Sequence, residues 1–237
     1  MNRPSILNGL TIPYDLKVEE LHRQLHPAGS RAWAACLALG YHTDPIAYSI
    51  LSDLLDSPDW RYRRTALEAI CHHPLEKTNI ERIIKLLDDQ SVYVVRTACE
   101  VVGKLGAKQA LPILVNLLSS QDPSIRFAAI QTLPYLWETT LFERVLEVFL
   151  SDRSDDVRRA AGWVLMGAAN ETNWKCLFDI WKKDTLGRHR KWACELARQF
   201  RSEVVHNDLH VLMKDSDGHV RKAAKTANES IGISTSF

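Results

Sequence analysis

The sequence predicts an all-α chain, a right-handed α-solenoid (α-α superhelix) of about seven helical pairs filling residues 15–230. Three observations lead there. The stretch 155–168, DDVRRAAGWVLMGA, recurs in diluted form every 31 or 32 residues; with Arg158 at place zero, the slot falls also at Arg31, Arg63, Val95, Arg126, Arg190 and Arg221. Place 3 is always alanine, namely Ala34, Ala66, Ala98, Ala129, Ala161, Ala193 and Ala224. Between these anchors the apolar residues follow a 3.6-residue period rather than alternation, as in Ile46, Ile50, Leu54 and Tyr62, Ala66, Ala69. A fixed period of this length marks a repeat array, in which each unit is too small to bury its apolar face alone and must stack on its neighbours.

Taken in order, residues 1–14 carry Pro4, Gly9 and Pro13 and are expected to form an irregular arm. Asp15 is the expected N-cap of LKVEELHRQL, a polar outer helix suited to a terminal cap, and RAWAACLALG closes the first pair at Gly40. The second pair starts near Pro45 and turns at Ser57 to Asp59. The third is NIERIIKLLDD with SVYVVRTACEVVGKLG, and the fourth ALPILVNLLSS with DPSIRFAAIQTLPYL, where Pro112 suits a first turn. LFERVLEVFLSD with DDVRRAAGWVLMGAA follows, then the aromatic pair NWKCLFDIWKKD with RHRKWACELARQF. The last pair swaps apolar outer positions for Lys225, Asn228 and Glu229 and reads as the closing cap, with 231–237 fraying. Eight places before zero, Leu55, Leu87, Leu118, Leu150 and Met213 end the preceding apolar runs, and Lys182 departs from the rule. The alanines at place 3 let successive second helices approach closely.

Composition narrows the class. With 46% apolar and 25% charged residues the chain is an ordinary folded protein. A net charge of +1 argues against a strong nonspecific polyanion binder, although residues 175–237 hold 12 basic and 8 acidic side chains. Five cysteines without zinc spacing read as reduced structural thiols. No apolar run reaches membrane-spanning length and the N-terminus lacks a signal-peptide block, so a cytoplasmic address is expected.

The segments SQDPSIRFAAIQTL, SDDVRRAAGWVL, DSDGHVRKAA and DDQSVYVVRTACEVVGKLG resemble HEAT repeats of the phycobilisome-lyase type, over residues from about 15 to 230. The resemblance implies an armadillo-type fold whose second helices line a concave face. It also implies a ladder between neighbouring repeats, formed by the second-helix Arg and an Asp near the preceding turn. Asp152, Asp184 and Asp215 stand six places before Arg158, Arg190 and Arg221; Ser57, Gln90 and Ser120 occupy the slot elsewhere, where no rung is expected.

If places −1, 3, 7 and 10 face the core, places 1, 5 and 8 face outward. Place 1 reads Arg64, Arg96, Phe127, Arg159, Lys191 and Lys222, a basic row interrupted once. Glu68, Glu100 and Glu195 follow Arg64, Arg96 and Lys191 by four, the spacing of local ion pairs. Phe127, Arg159 and Lys222 lack such a partner, and Arg159 is followed by Trp163 and Met166. Phe127, Arg159, Trp163 and Met166 therefore form the expected apolar and cationic binding patch. Trp33, Trp181 and Trp192 read as packing residues. Cys71, His72 and His73 read as a chance cluster, His22 and His26 lack a third ligand, and no metal or cofactor is expected. No phosphate loop, nucleophile elbow or His-Glu pair of the HEAT-like di-iron hydroxylases occurs, so the enzyme reading leans to no.

The leading expectation is a non-catalytic scaffold that binds a protein or peptide on its concave face. RRAAGWVL is similar to a segment of AlkD-type DNA glycosylases, which implies nucleic-acid binding as an alternative, although the comparable stretch SVYVVRTACEVVG lacks their catalytic Asp. GSRAWAACLALG and DDVRRAAGWVL are similar to repeats of phycobilin lyase subunits, which implies a chromophore lyase or phycobiliprotein-associated factor as a further alternative.

Overall fold

The computed structural model describes residues 6–7, 9–73 and 80–232. Helices dominate them, and they fall into the expected pairs. These are α1 (Val18–Gln24) with α2 (Ser30–Leu39), α3 (Pro45–Leu54) with α4 (Trp60–Ile70), α5 (Ile80–Lys85) with α6 (Val92–Lys104), and α7 (Leu111–Leu117) with α8 (Pro123–Thr132). They continue as α9 (Phe142–Ser151) with α10 (Asp155–Gly167), α11 (Trp174–Trp181) with α12 (Gly187–Phe200), and α13 (His206–Leu212) with α14 (Gly218–Gly232). The expected arm is not wholly irregular: β1 (Ile6–Leu7) and β2 (Leu10–Thr11) pair as a short antiparallel hairpin around Gly9, whose φ of 80° favours glycine.

Local chemistry explains most boundaries. Asp44, Asp59 and Asp122 cap α3, α4 and α8 by accepting from the amides of Ile46, Arg61 and Ser124 at 2.8, 2.9 and 2.7 Å. The expected Asp15 cap is not used: α1 opens three residues later, with the Glu20 carboxylate reaching back to the Lys17 amide at 3.1 Å. α8 tightens into a 3-10 turn over Leu133–Leu136, where Pro134 has no N–H to continue the α pattern. α5 passes into a 3-10 turn at Leu86–Asp88, so the single first helix expected for this pair is two short pieces. Of the expected fraying segment, Ile231 and Gly232 belong to α14, with Ile231 buried, and 233–237 lie outside the described residues.

The chain forms two compact units, Met1–Ala161 and Gly162–Phe237. In the first, each first helix packs on its own second helix in the pairs α1/α2, α3/α4, α5/α6 and α7/α8, and the second helices α2, α4, α6 and α8 pack successively on one another. In the second unit α11 packs on α12, α13 on α14, and α12 on α14. All seven place-3 alanines are at most 2% exposed, which is the condition for that close approach. Leu51, Leu67, Ile83, Leu87 and Leu114 fill the layer between first and second helices and are almost fully buried, each contributing roughly 1.5–3 kcal/mol. Gly40 shows how near α2 comes to α4: a Cβ there would lie 2.2 Å from the Ala69 carbonyl oxygen.

One periodic expectation fails. Leu150 is 58% exposed, whereas Leu55, Leu87 and Leu118 at the same place are buried. α3, α7, α11 and α13 end nine places before zero, but α9 runs two residues further, to Ser151, with Val148 and Phe149 facing the core and Leu150 turned outward.

The arginine ladder is broader than expected and uses different partners. Arg63 grips Asp89 through Nε and Nη2 at 2.7 and 2.8 Å, Arg126 grips Asp152 at 2.7 and 2.8 Å, and Arg190 grips Asp215 at 2.7 Å twice. Each carboxylate belongs to the following repeat, 25 or 26 residues on. The residue six places earlier contributes its backbone carbonyl: Ser57, Ser120, Asp184 and Asp215 accept from Arg63, Arg126, Arg190 and Arg221 at 2.7–2.9 Å. Because a carbonyl serves, Ser57 and Ser120 do not break the ladder, and Asp89 rather than Gln90 provides the carboxylate. Arg158 closes on Asp155 at 3.0 Å and on the Asp152 carbonyl at 2.6 Å.

Candidate functional site

The second helices present the faces that the 3.6 period implies. Places −1, 3 and 7 are buried in nearly every repeat, with exposed Ser30 and half-buried Ile125 and Asn228 as exceptions, and the place-1 residues Arg64, Arg96, Arg159, Lys191 and Lys222 are exposed. Phe127, on α8, is half-buried, as is Met166 on α10. Arg159, Trp163 and Met166 stand at spacings of four and three on α10, hence on one side of that helix.

Charge on these faces is more fully answered than the spacing suggests. Arg64 pairs with Glu68 at 2.9 Å and Lys191 with Glu195 at 3.3 Å, both as expected. Glu100, expected to face Arg96, instead takes Lys104 at 2.6 Å, the cation one helical turn further along α6. Arg159, expected to lack a local partner, pairs backward with Asp156 at 2.6 Å. Among the described residues, Arg96 and Lys222 are the place-1 cations without an ion pair.

Trp163 lies 59% exposed, yet its ring is seated on Trp192, with centroids 5.3 Å apart. Trp192 is 6% exposed and is packed in turn by Trp181 at 5.5 Å and by His189 at 4.8 Å. His189 is held by Asp184, whose carboxylate lies 2.9 Å from Nδ1. Trp181 and Trp192 thus pack, as expected, and support the exposed indole from beneath. Such a ring loses little rotational freedom when a ligand covers it, which favours a role as an apolar anchor.

In the same unit Lys191 and Lys222 come together. They line an open groove of about 290 Å³ between α12 and α14 with Glu195, Arg198 and His219. Glu195 is committed to Lys191, so the uncompensated charge of the groove is positive. In the first unit an open groove of about 590 Å³ runs past Ser119, Arg126, Arg144, Glu147 and Asp152. Its charges are spent internally: Arg126 on Asp152, and Arg144 on Glu147 and on the Ser119 hydroxyl at 2.6 Å.

The first unit also holds an aromatic pair that the repeat spacing does not point to. Trp60 opens α4 and stacks on Tyr93 of α6 at 4.9 Å and 20°, with the Arg61 guanidinium 5.2 Å from the indole centroid and Tyr93 53% exposed. Their repeat places differ by one, which hid the alignment. Cys71, His72 and His73 diverge: the thiol donates to the Glu68 carbonyl, His72 stacks on Tyr41 at 4.7 Å, and buried His73 lies 3.3 Å from the Asp44 carbonyl. All five cysteines are free thiols; Cys36, Cys99 and Cys194 are buried and Cys176 is exposed. No described helix is long and apolar enough to cross a membrane.

Comparison with known proteins agrees with this geometry. Residues 80–166 match the family model of HEAT repeats. A search of curated proteins finds no match. Similar solved structures include an archaeal HEAT-like repeats protein from Thermococcus onnurineus NA1, with a TM-score of 0.59 at 15% identity, covering 92% of this chain and 98% of that one. An engineered protein matches with a TM-score of 0.57 at 18% identity, over 91% of this chain and 68% of its own. The YibA protein of Escherichia coli matches with 0.52 at 16% identity, over 92% and 93%. At these identities the likeness is one of fold: the chain is a helical-repeat solenoid, with the match to HEAT repeats confined to residues 80–166.

Proposed function

We propose that the chain is a non-catalytic scaffold whose second-helix surface binds a protein or peptide partner, with Trp163 as the apolar anchor. The observation that carries this reading is an indole 59% exposed but held in place by the buried Trp192. The groove between α12 and α14 adds Arg198 and Lys222, which favours a partner segment with acidic side chains beside an apolar one. Met166 and Lys191 of the same unit join this surface as a secondary contact and a cationic rim; in the first unit, taken by itself, Arg64, Arg96, Phe127 and Arg159 are the candidate contacts on the second helices.

Selection of displayed peptides against the folded chain tests the proposal. Enriched peptides should pair acidic with aromatic or aliphatic residues, and Trp163→Ala should weaken them by about tenfold or more, a 1.4 kcal/mol loss typical of a modest anchor. Lys222→Glu should weaken them independently. Peptides that bind both folded variants as well as the parent chain would overturn the assignment.

A nucleic-acid reading rests on Arg96 and Lys222 alone, since Glu68, Asp156 and Glu195 answer the other cations of the row. It requires steep salt dependence, and a gel shift at low salt decides it. The phycobilisome-lyase repeat type rests on motif likeness, and absorbance after incubation with a bilin tests it.

A further inference from the structure

His206 and His210 stand one turn apart on α13, their rings 4.6 Å between centroids, with His210 exposed and His206 half-buried. Their Nε2 atoms are 3.1 Å apart. With metal–nitrogen bonds of about 2.0–2.1 Å, two imidazoles on one ion require nitrogens roughly 3.3 Å apart for tetrahedral and 2.9 Å for right-angled coordination. The observed separation lies between these values. In the metal-free protein the same distance serves one N–H donating to the other ring.

The surroundings suit an ion with open positions. Asp208, the acidic residue between the two histidines, is turned to Lys182 at 2.7 Å, and Asp215 is committed to Arg190. No third His, Cys, Asp or Glu groups with the pair among the described residues. His210 also lines an open groove of about 400 Å³ with Lys182, Val211, Lys214 and Asp215. Lys182 is compensated by Asp179 at 2.9 Å and by Asp208, which limits repulsion of a cation, while Lys214 favours an anionic co-ligand.

We propose that His206 and His210 form a two-imidazole chelate for a divalent late transition ion such as copper, nickel or zinc. Water or an exchangeable anion entering from the adjoining groove fills the remaining positions. Borderline imidazole nitrogens select these ions over calcium or magnesium, which require oxygen ligands. The site is independent of the peptide surface proposed above, because neither histidine lines the groove between α12 and α14.

Sub-stoichiometric copper(II) added to the full chain, with histidine ring resonances followed by NMR, tests the assignment. His206 and His210 should broaden first and together, ahead of exposed His22 and His219. His206→Ala should reduce the broadening of His210 to that of an isolated surface histidine and lower zinc affinity by about tenfold or more, since the second ligand no longer acts at high effective concentration. His210→Ala should act reciprocally. Equal broadening of His22 or His219 in the parent chain, or unchanged broadening of His210 in the folded His206→Ala variant, would overturn the proposal. The order of broadening in the parent chain decides the matter even if a variant folds poorly.

Discussion

The Arg126–Asp152 rung gives the sharpest test of how neighbouring repeats are joined. The side chains are only 12% and 5% exposed, and two N–H···O contacts at 2.7 and 2.8 Å give a bidentate, charge-assisted pair. Asp152→Ala leaves a guanidinium that still donates to the Ser120 and Gln121 carbonyls at 2.8 and 3.2 Å, which softens the loss. Breaking a buried pair costs about 3–5 kcal/mol, so the lower end, about 3 kcal/mol, is expected. Arg126→Met leaves Asp152 accepting from the Ser154 amide at 2.7 Å and should cost a similar amount. The Ser154 contact is lost equally in Asp152→Ala and in the double variant, so it cancels in a double-mutant cycle, and a coupling of about 2 kcal/mol should remain. The Lys104–Glu100 pair, with side chains 50% and 63% exposed, is the control and should couple by about 0.3–0.5 kcal/mol. Urea unfolding at low and at molar salt reads both, and the control alone should weaken with salt. A coupling for Arg126–Asp152 no larger than the control, or equally salt-sensitive, would refute the idea that this buried rung joins the repeats.

The same rungs set the response to acid. Burial pushes the carboxyls of Asp89 and Asp152 up, but the hydrogen bonds and charge of Arg63 and Arg126, with the Ser91 and Ser154 amides, outweigh it and hold both below the usual range. The Arg190 hydrogen bond leads the same lowering at Asp215. A depressed folded value contributes stability above the unfolded carboxylate range, near pH ~3.9, which is lost as pH falls through that range to the folded value. Unfolding free energy should therefore fall steeply below about pH 4 and less steeply in Asp152→Asn; equal slopes would contradict the mechanism. Thiol chemistry offers a separate check. Burial raises the Cys36 thiol, and pushes Cys99 and Cys194 up to about 12, while Cys176 is exposed. Alkylation mapped by mass spectrometry should label Cys176 first and leave Cys36, Cys99 and Cys194 unmodified until denaturant is added.

Much of this was legible along the chain because stacking imposes a local rule. The place-3 alanines, the mainly apolar places −1 and 7, and the exposed cations of place 1 follow from helical angle and a fixed period, and no distant contact is needed to locate them. Helix ends were legible where Asp44, Asp59 and Asp122 cap them. Asp15 failed because any Asp before an apolar run looks alike until the chain's entry angle is known. Leu150 failed because α9 runs on, and a longer helix turns a periodic position outward without any change in the pattern itself.

What the sequence by itself determined is the repeat, the paired helices and the side of each second helix that meets solvent, since these depend on spacing within some fifteen residues. What tertiary structure alone decided is which groups meet across 25 or 26 residues. Arg63, Arg126 and Arg190 reach forward to carboxylates of the next repeat, and Asp184 serves Arg190 by its carbonyl, a role blind to residue type. Likewise Glu100 chose Lys104 over Arg96, and Trp163 came to rest on Trp192, because side-chain pairing depends on relative direction in space, which a one-dimensional period does not encode.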